Sequence, residues 1–382
     1  MSRLIIKALT SIVLMSLLGV ACSPATSSVP VATPGDKART EIVTAPSEWS
    51  KLVAEAKKEG TAVIATSNGP EFSAALSRAF LEKYGVSLEF IYGTSSELVP
   101  KIQAELRAGI YSADMFITGS TNVVPVLGPE KALQPLDTVL QLPEVLDKKA
   151  WWGGDLLWIG PNHFQVMFIA MPGQSLWINS DMVKMGEIRS HYDLLEPRWK
   201  GKISLRDPTT SGSGNTFFTF VAETLPNGLD YLRDLGKQEP TIIRDPRLQT
   251  EWVARGKYPV AIGCKIDIVK EFIQAGAPIG AVQLVEGTYV TGSGGGVALM
   301  SKAPHPKAAA LFVNWLLSRE GQAVASRAYG GQSARVDVPT DFFEPYEVRQ
   351  AGAKYDNQVQ QDEAIGSKYR KMAGEMYQSL LK

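Results

Sequence analysis

The chain of 382 residues has no excess charge of either sign, with 39 Lys and Arg against 39 Asp and Glu. Without a net field it has nothing to gather a polyanion or an anionic lipid surface, so nucleic acid is not an expected partner. Cysteine is scarce: Cys22 and Cys264 are the only two. That is too few for a disulfide framework, and stability has to come from buried apolar surface. Histidine is scarcer than charge would suggest, and His163, His191 and His305 stand isolated, outside any HExxH or cysteine–histidine spacing. No GxSxG elbow or phosphate-loop lysine pattern occurs. Enzymatic chemistry, a metal site and a cofactor are therefore not expected, and His163 and His305 read as structural or loop residues.

What is present is the composition of a folded protein, 45% hydrophobic and 20% charged, in a chain long enough for two lobes with separate cores. One apolar run, Ala8 to Val20, follows Arg3 and Lys7 and is too short to span a bilayer, which is the layout of a secretory signal. It runs into LLGVAC, ending at Cys22. Small residues before a cysteine at that point resemble the lipoprotein signal, so the expectation is a signal peptide over residues 1–21 and a lipid on Cys22. Plain secretion with an incidental cysteine is the alternative. Residues 22–45, rich in Ser, Thr, Pro and Ala, bury too little surface to order themselves and read as a tether. The folded body is then expected in the periplasm or on the outer face of the cell membrane, touching the membrane through that lipid.

From Ser47 the pattern changes to alternation of short β-rich runs with helices. Trp49, Leu52, Val53 and Ala56 recur at helical spacing before Gly60, then TAVIAT reads as a strand and Phe72 to Phe80 as a second helix closed by Gly85. VSLEFIY, a helix over residues 97–108, and ADMFIT continue the rhythm of a parallel sheet covered by helices. Pro, Gly and three tryptophans, Trp151, Trp152 and Trp158, interrupt it between Leu127 and Asn162. FQVMFIAM and LWINSDMV resume it, and a second α/β set follows from KISLRDP to AVQLV. VALM and an amphipathic helix with Ala308, Leu311, Phe312, Trp315 and Leu316 close the pattern. The division this predicts is residues 46–165 with 290–335 as one lobe and 166–289 as the other. Residues 336–382 form a helical segment packed on the lobes by a thin stripe of Ile365, Tyr369, Met372 and Met376.

In open α/β sheets, ligands sit where strands lead into loops. On one wall that selects SNG with Ser67 and Asn68, GTSS with Thr94 and Ser95, and GSTN with Ser120 and Thr121. On the facing wall it selects TTSGSG, with Thr210, Ser211, Gly212, Ser213 and Gly214, and Lys265 at the start of a helix. The TTSGSG loop opens a helix whose first N–H groups are unpaired and carry the positive end of its dipole, which suits an oxyanion. An ordinary helix cap is the plainer reading, and it needs only one of those hydroxyls. Arg206, on the strand before the loop, reads as a solvated surface residue. GSGGG, from Gly292, precedes a strand and reads as a crossover between lobes, not a dinucleotide fingerprint. Tyr329 with Gly330 and Gly331 sits at a helix end. Trp151, Trp152, Trp158 and Trp177 are candidates to stack on an organic guest, with core packing as the default for at least half of them.

EWSKLVAEAKKEG from Glu48, LEPRWKGKISLRDPTTSGSG from Leu195, PVAIG from Pro259 and APHPKAAALFVNWLLSREGQ from Ala303 resemble the periplasmic solute-binding proteins of ABC importers. The nearest resemblance is to the group that includes the ferric-iron binders, and it spans Ser47 to Arg335. It implies an α/β, two-lobed Venus-flytrap architecture of type II with a central cleft, a monomer that closes on a small solute and presents it to a membrane permease. The iron ligands of that group do not carry over: SNG follows the first strand, Cys264, Lys265 and Ile266 follow PVAIG, and no two tyrosines are adjacent. Ferric iron prefers hard anionic oxygen ligands. The region that holds the accompanying anion in that group, Ser211 to Gly214 here, is kept. That combination points to a phosphonate, phosphate ester or carboxylate bound directly. A ferric-iron receptor is the alternative, a ligand sensor on the same fold is another, and a secreted lipoprotein enzyme is the reading from a different class.

Overall fold

A computed structural model of the chain describes residues 47–210, 212–356 and 363–380. The expected signal peptide, the Cys22 lipid site, the tether and Ser211 lie outside the described residues, as do the side chains of residues 120–122 and 363–365.

Local signals set the element ends. Ser47 Oγ accepts the Ser50 N–H at 3.2 Å to start α1 (Glu48–Glu59), and Gly60 closes it at φ 77°. There follow β1 (Thr61–Thr66), α2 (Pro70–Tyr84), β2 (Ser87–Tyr92), α3 (Ser95–Arg107), β3 (Met115–Thr118), α4 (Ser120–Leu127) and β4 (Leu133–Gln134). The stretch GSTN, expected as a loop, thus already enters α4. Next come α5 (Pro143–Leu146), β5 (Leu157–Ile159) and β6 (Gln165–Met167). The chain crosses through β7 (Met171–Pro172) into β8 (Leu176–Asn179), β9 (Ile203–Arg206), α6 (Ser213–Thr224), α7 (Gly228–Lys237), β10 (Thr241–Ile243), α8 (Pro246–Ala254), β11 (Val260–Ile262), α9 (Ile266–Gln274) and β12 (Ile279–Val282). It returns through β13 (Thr288–Thr291) to β14 (Gly296–Met300), α10 (Pro306–Leu317) and α11 (Arg319–Tyr329), and ends with β15 (Tyr355–Asp356) and α12 (Glu363–Met376).

The strands form two main sheets. The first has the order β2-β1-β3-β14-β6-β5 with β4 beside β14, and the second the order β10-β9-β11-β8-β12. A small third sheet, β15-β13-β7, is built on the two crossing strands. The pairs β1 to β2 and β1 to β3 are parallel, as expected, but β14 runs antiparallel to both β3 and β6. It comes back from the other sheet and so enters at the end where its neighbours leave. In the second sheet β9 is parallel to β10 and β11, while β8 is antiparallel to β11.

Alternation along the strands fills a core on each face of each sheet. Met115, Ile117, Val297 and Leu299 point into one core of the first sheet, and Phe116, Ala298 and Met300 into the other. In the second sheet Leu176, Ile178, Ile203 and Leu205 face α6 and α7, and Trp177 and Ala261 face the opposite side. The helix α10, expected to be amphipathic, is buried on every side from Ala308 to Leu317, because α1, α11 and β1 pack around it. Its one polar core residue, Asn314, is satisfied: Oδ1 accepts the Gln141 N–H at 2.7 Å and Nδ2 donates to the Val139 carbonyl at 2.8 Å.

FQVMFIAM, read as one strand, is split between two sheets. Between β6 and β7 the Phe168 N–H donates to the Gly295 carbonyl at 2.8 Å and the Ala170 N–H to the Gln332 carbonyl at 2.8 Å, which is where the chain changes sheets. The helix α12 packs on α6 through buried Tyr369, Ala373 and Tyr377, and the Tyr377 hydroxyl donates to the Leu232 carbonyl at 2.8 Å. No helix among the described residues is long and apolar enough to cross a membrane.

His191 is fully buried in the second core, between the rings of Phe217, Phe220 and Tyr231, and neither ring nitrogen has a hydrogen-bond partner. Burial lowers its pKa from the ordinary 6.5 to about 4, against the opposing pull of the Glu286 charge. The folded protein therefore refuses a proton that the unfolded chain accepts. The contribution of His191 to stability is level above pH 6.5 and falls as pH drops from there toward 4, by on the order of 3 kcal/mol. We predict that His191→Phe flattens this part of the profile, as read from urea midpoints at pH 7 and pH 4.5. An unchanged fall between those pH values would locate the acid sensitivity elsewhere.

Candidate functional site

Residues of both main sheets and of the crossing strands line one cleft of about 830 Å³. That volume lies in the ordinary range for a small-molecule site.

The wall from the first sheet follows from period-two alternation. Leu157 and Ile159 on β5 share a face, Leu157 pairs across to Met167 on β6, and Ile169 and Met171 continue the odd-numbered series toward the crossing strands. The even-numbered Val166, Phe168 and Ala170 between them are packed in the core, and the odd-numbered residues are also largely buried in it, so they reach the cleft with only a small part of their surface. Trp158, between Leu157 and Ile159, stacks on His163 at 4.3 Å and does not line the cleft. At the base, Tyr289, Val290 and Pro172 come from β13 and β7. Gly292 and Ser293 follow, at the start of the glycine run that leads into β14. That run packs tightly, as a Cβ on Gly295 would fall on the Ile169 side chain.

The wall from the second sheet is polar. Gly212, Asn215 or Thr216, and Thr219 recur at helical spacing along α6, and Ile266 or Asp267, Lys270 and Gln274 do so along α9. Phe217, Phe218 and Val221, on the other side of α6, are core residues. Each lining carboxylate is in an ion pair: Asp267 with Lys265 at 2.8 Å, Glu271 with Arg247 at 2.8 Å and Glu347 with Lys270 at 2.5 Å. Gly366 and Arg370 of α12 complete this wall, tied to α6 because the Asn215 amide donates to the Gly366 carbonyl at 3.3 Å and accepts from Arg370 Nη1 at 3.2 Å.

Arg206, expected at the solvated surface, lines the cleft and is half-buried, and its Nη1 is buried without a hydrogen-bond partner among the described residues. It is the last residue of β9, and the next turns of chain fold over it. Burial pulls its pKa down, against the charges of Asp245 and Asp207. Those two carboxylates have other partners. Asp207 accepts Arg244 Nε at 2.7 Å and the Thr209 N–H at 2.8 Å, and Asp245 caps α8 through the Arg247 N–H at 2.8 Å. A second buried atom on this wall, Thr219 Oγ1, is also unpaired.

Of the residues selected from the loops, Gly212, Ser213 and Lys265 line the cleft. Ser213 Oγ donates to the Gly263 carbonyl at 2.5 Å and Thr210 Oγ1 to the Asp207 carbonyl at 3.3 Å, so both hydroxyl protons serve the loop itself. Gly214 lies behind the lining, packed so closely on the end of β9 that a Cβ there would collide with the Arg206 carbonyl oxygen. On the other side, Ser67 Oγ bonds to Thr118 Oγ1 at 2.8 Å and the Asn68 amide donates to the Gly294 carbonyl at 3.2 Å, anchoring the glycine run. Thr94 Oγ1 donates to Glu97 at 2.8 Å as part of the cap of α3, with Ser95 the first residue of that helix. Both follow β2, the edge strand farthest from β5. Of the loop with Ser120 and Thr121, Gly119 lines the cleft.

The four tryptophans pack elsewhere: Trp151 and Trp177 are buried in the cores, and Trp152 lies edge-on to Tyr355. Tyr329 and Gly330 line the cleft, and the Tyr329 hydroxyl accepts the Gly294 N–H at 2.9 Å. His163 bonds to Asp137 at 3.0 Å and His305 to Asp114 at 3.0 Å, both outside the lining. Cys264 does line the cleft, but burial pushes its thiol up to about 12, so it stays protonated.

A model of the bacterial extracellular solute-binding protein family matches residues 75–355. The chain belongs to that family. An uncharacterized protein of Haemophilus influenzae is 27% identical over 257 residues, covering 65% of this chain and 70% of its own length. Two solved structures show the same two-lobed periplasmic-binding-protein fold. IdiA (FutA) of Trichodesmium, in complex with iron and citrate, has a TM-score of 0.66 at 18% identity over 84% of this chain and 99% of its own. The periplasmic binding protein AfuA of Actinobacillus pleuropneumoniae, with fructose-6-phosphate bound, has a TM-score of 0.58 at 22% identity over 84% and 98%. In this solute-binding protein the cleft therefore lies where the two lobes face one another.

The contact of Gly214 with the end of β9 sets the position of both Arg206 and the mouth of α6. Gly214→Ala is expected to destabilise the protein by about 1–3 kcal/mol, the usual cost of forcing an atom into packed backbone. Chemical denaturation measures it, and a midpoint equal to the parent's would show that the strand and helix are not in close contact.

Proposed function

We propose that this protein captures a small organic anion, of the phosphonate, phosphate ester or carboxylate type, and delivers it to an ABC importer in the membrane. The observation that carries the reading is Arg206, a guanidinium in the cleft with a buried, unpartnered Nη1. A buried donor of this kind costs free energy unless a partner meets it, and a planar fork of donors matches a carboxylate or phosphate group. The first turn of α6 lies beside it, with N–H groups that lack partners in the helix and the positive end of the dipole. Pairing of every described lining carboxylate leaves the charge of Arg206 to the guest.

Delivery to a permease and absence of chemistry are what membership of the family supports, and the protonated Cys264 thiol and the distant histidines agree with a binding role. LLGVAC supports a lipid on Cys22 that holds the body at the outer face of the membrane. Iron has less support: among the described residues no group of three His, Cys, Asp or Glu is placed to hold a metal ion.

Thermal melting of the purified protein with rising phenylphosphonate tests the reading, because a ligand of the folded state raises stability with the logarithm of its excess. The parent is expected to gain several degrees at saturating ligand. Arg206→Gln is expected to lose at least tenfold in affinity, since hydrogen bonds to charged groups contribute roughly 1.5–3 kcal/mol. Equal stabilisation of the two proteins would remove Arg206 from the site, and stabilisation by ferric salts alone would replace the anion with a metal.

A further inference from the structure

We infer that the solute is amphipathic, with its anionic head against Arg206 and α6 and an apolar body laid on the wall of the first lobe. The inference rests on the anion reading above and adds the chemistry of the rest of the guest. Leu157, Ile159, Met167, Ile169 and Met171 make that wall by strand alternation, on two hydrogen-bonded strands and the segment that continues them. The polar side chains that line the cleft beside this wall include those of Thr291, Ser293 and Tyr329, and Thr291 Oγ1 already accepts the Ser293 N–H at 3.1 Å. The Tyr329 hydroxyl already accepts the Gly294 N–H, and the loop hydroxyls of Ser67 and Thr94 are bonded within the protein and outside the lining.

Such a wall discriminates in both directions. A polyhydroxylated body, such as the sugar of a sugar phosphate, would strand hydroxyls against methylene and thioether groups. Each one left without a partner lowers affinity roughly five- to a hundredfold. An alkyl or aromatic body instead gains up to roughly fourfold per buried methylene. Methionines at the centre of the wall fit bodies of more than one shape, because the unbranched thioether adapts its rotamer to the surface it meets. The cleft of about 830 Å³ has room for such a body beside the head group.

The test is calorimetric titration of the purified protein with methyl-, propyl- and hexylphosphonate and with fructose 6-phosphate, repeated on Arg206→Gln and Met167→Gln. Affinity is expected to rise at least twofold per methylene, with hexylphosphonate tighter than fructose 6-phosphate. Arg206→Gln should weaken every phosphonate by a similar factor, while Met167→Gln should flatten the dependence on length. Flat or falling affinity with length, or tighter binding of fructose 6-phosphate, overturns the amphipathic solute while leaving the anion reading in place. Failure of every phosphonate to bind, or indifference of all of them to Arg206→Gln, overturns the anion reading and this inference with it. The length series on the parent protein decides the matter should Met167→Gln not fold.

Discussion

A guanidinium held at the end of a strand, with one nitrogen buried and unpaired, is the constraint from which the site is organised. Arg206 is fixed by backbone on both sides, because Gly214 of α6 and Gly263 after β11 pack against its carbonyl and its Cβ. The two carboxylates whose charges act on it, Asp245 and Asp207, make their own hydrogen bonds elsewhere, Asp207 with Arg244 and Thr209, and Asp245 with the first turn of α8. A chain with equal numbers of acidic and basic residues thus keeps a local positive charge where helix α6 also presents the positive end of its dipole. Net charge governs long-range steering, and its absence here leaves recognition to short-range contacts inside the cleft.

The division of polarity between the walls bears on how the two lobes respond to a guest. A ligand shifts an equilibrium between open and closed forms only by its difference in affinity for them. An inorganic anion held by Arg206 and α6 alone touches one lobe and has little reason to favour closure. A guest that also covers Met167 and Ile159 adds apolar burial that exists only when the first lobe is near. The crossing strands β7 and β13 are short and pair with one another at two positions, Val290 with Pro172 and Thr291 with Met171.

Most elements of the fold were legible from periodicity. TAVIAT is β1 to the residue, and the serine and glycine at the ends of α1 act as their chemistry requires. The failures have physical causes. Helix α10 hides its polar periodicity because every side is covered, and FQVMFIAM carries no turn residue where it passes from one sheet to the next. Helix α7 was missed although Tyr231, Leu232 and Leu235 stand at helical spacing in it. For the cleft, strand-to-loop reasoning selects the mouth of α6 and Lys265, which line it, and on the opposite side the loops after β1, β2 and β3, of which only Gly119 is among the described lining residues. The loops after β1 and β2 belong to the far side of the sheet order, and the antiparallel strands β5 and β6 supply the wall instead. Their alternating Leu157, Ile159, Met167, Ile169 and Met171 were visible as a pattern, and only the sheet order shows that the odd face meets the cleft. Arg206 was discounted because a strand-end arginine is usually solvated.

The crowd of hydroxyl residues between Asp207 and Thr216 has an account that does not require them to touch a guest. Thr209 closes a turn on the Asp207 carboxylate, Thr210 donates to the Asp207 carbonyl, Ser213 donates to Gly263, and Thr216 Oγ1 donates back to Gly212. The bonds of Thr210, Ser213 and Thr216 are neutral and contribute roughly 0.5–1.5 kcal/mol each, the bond of Thr209 to a carboxylate contributes more, and together they hold a glycine-containing loop in one conformation. What they hold it around is a row of backbone N–H groups and a charged fork, whose bonds to an anion are about twice as strong as neutral ones. On the proposed anion reading the small side chains are the frame of the site, and their abundance reflects the cost of keeping a flexible loop still before a solute arrives.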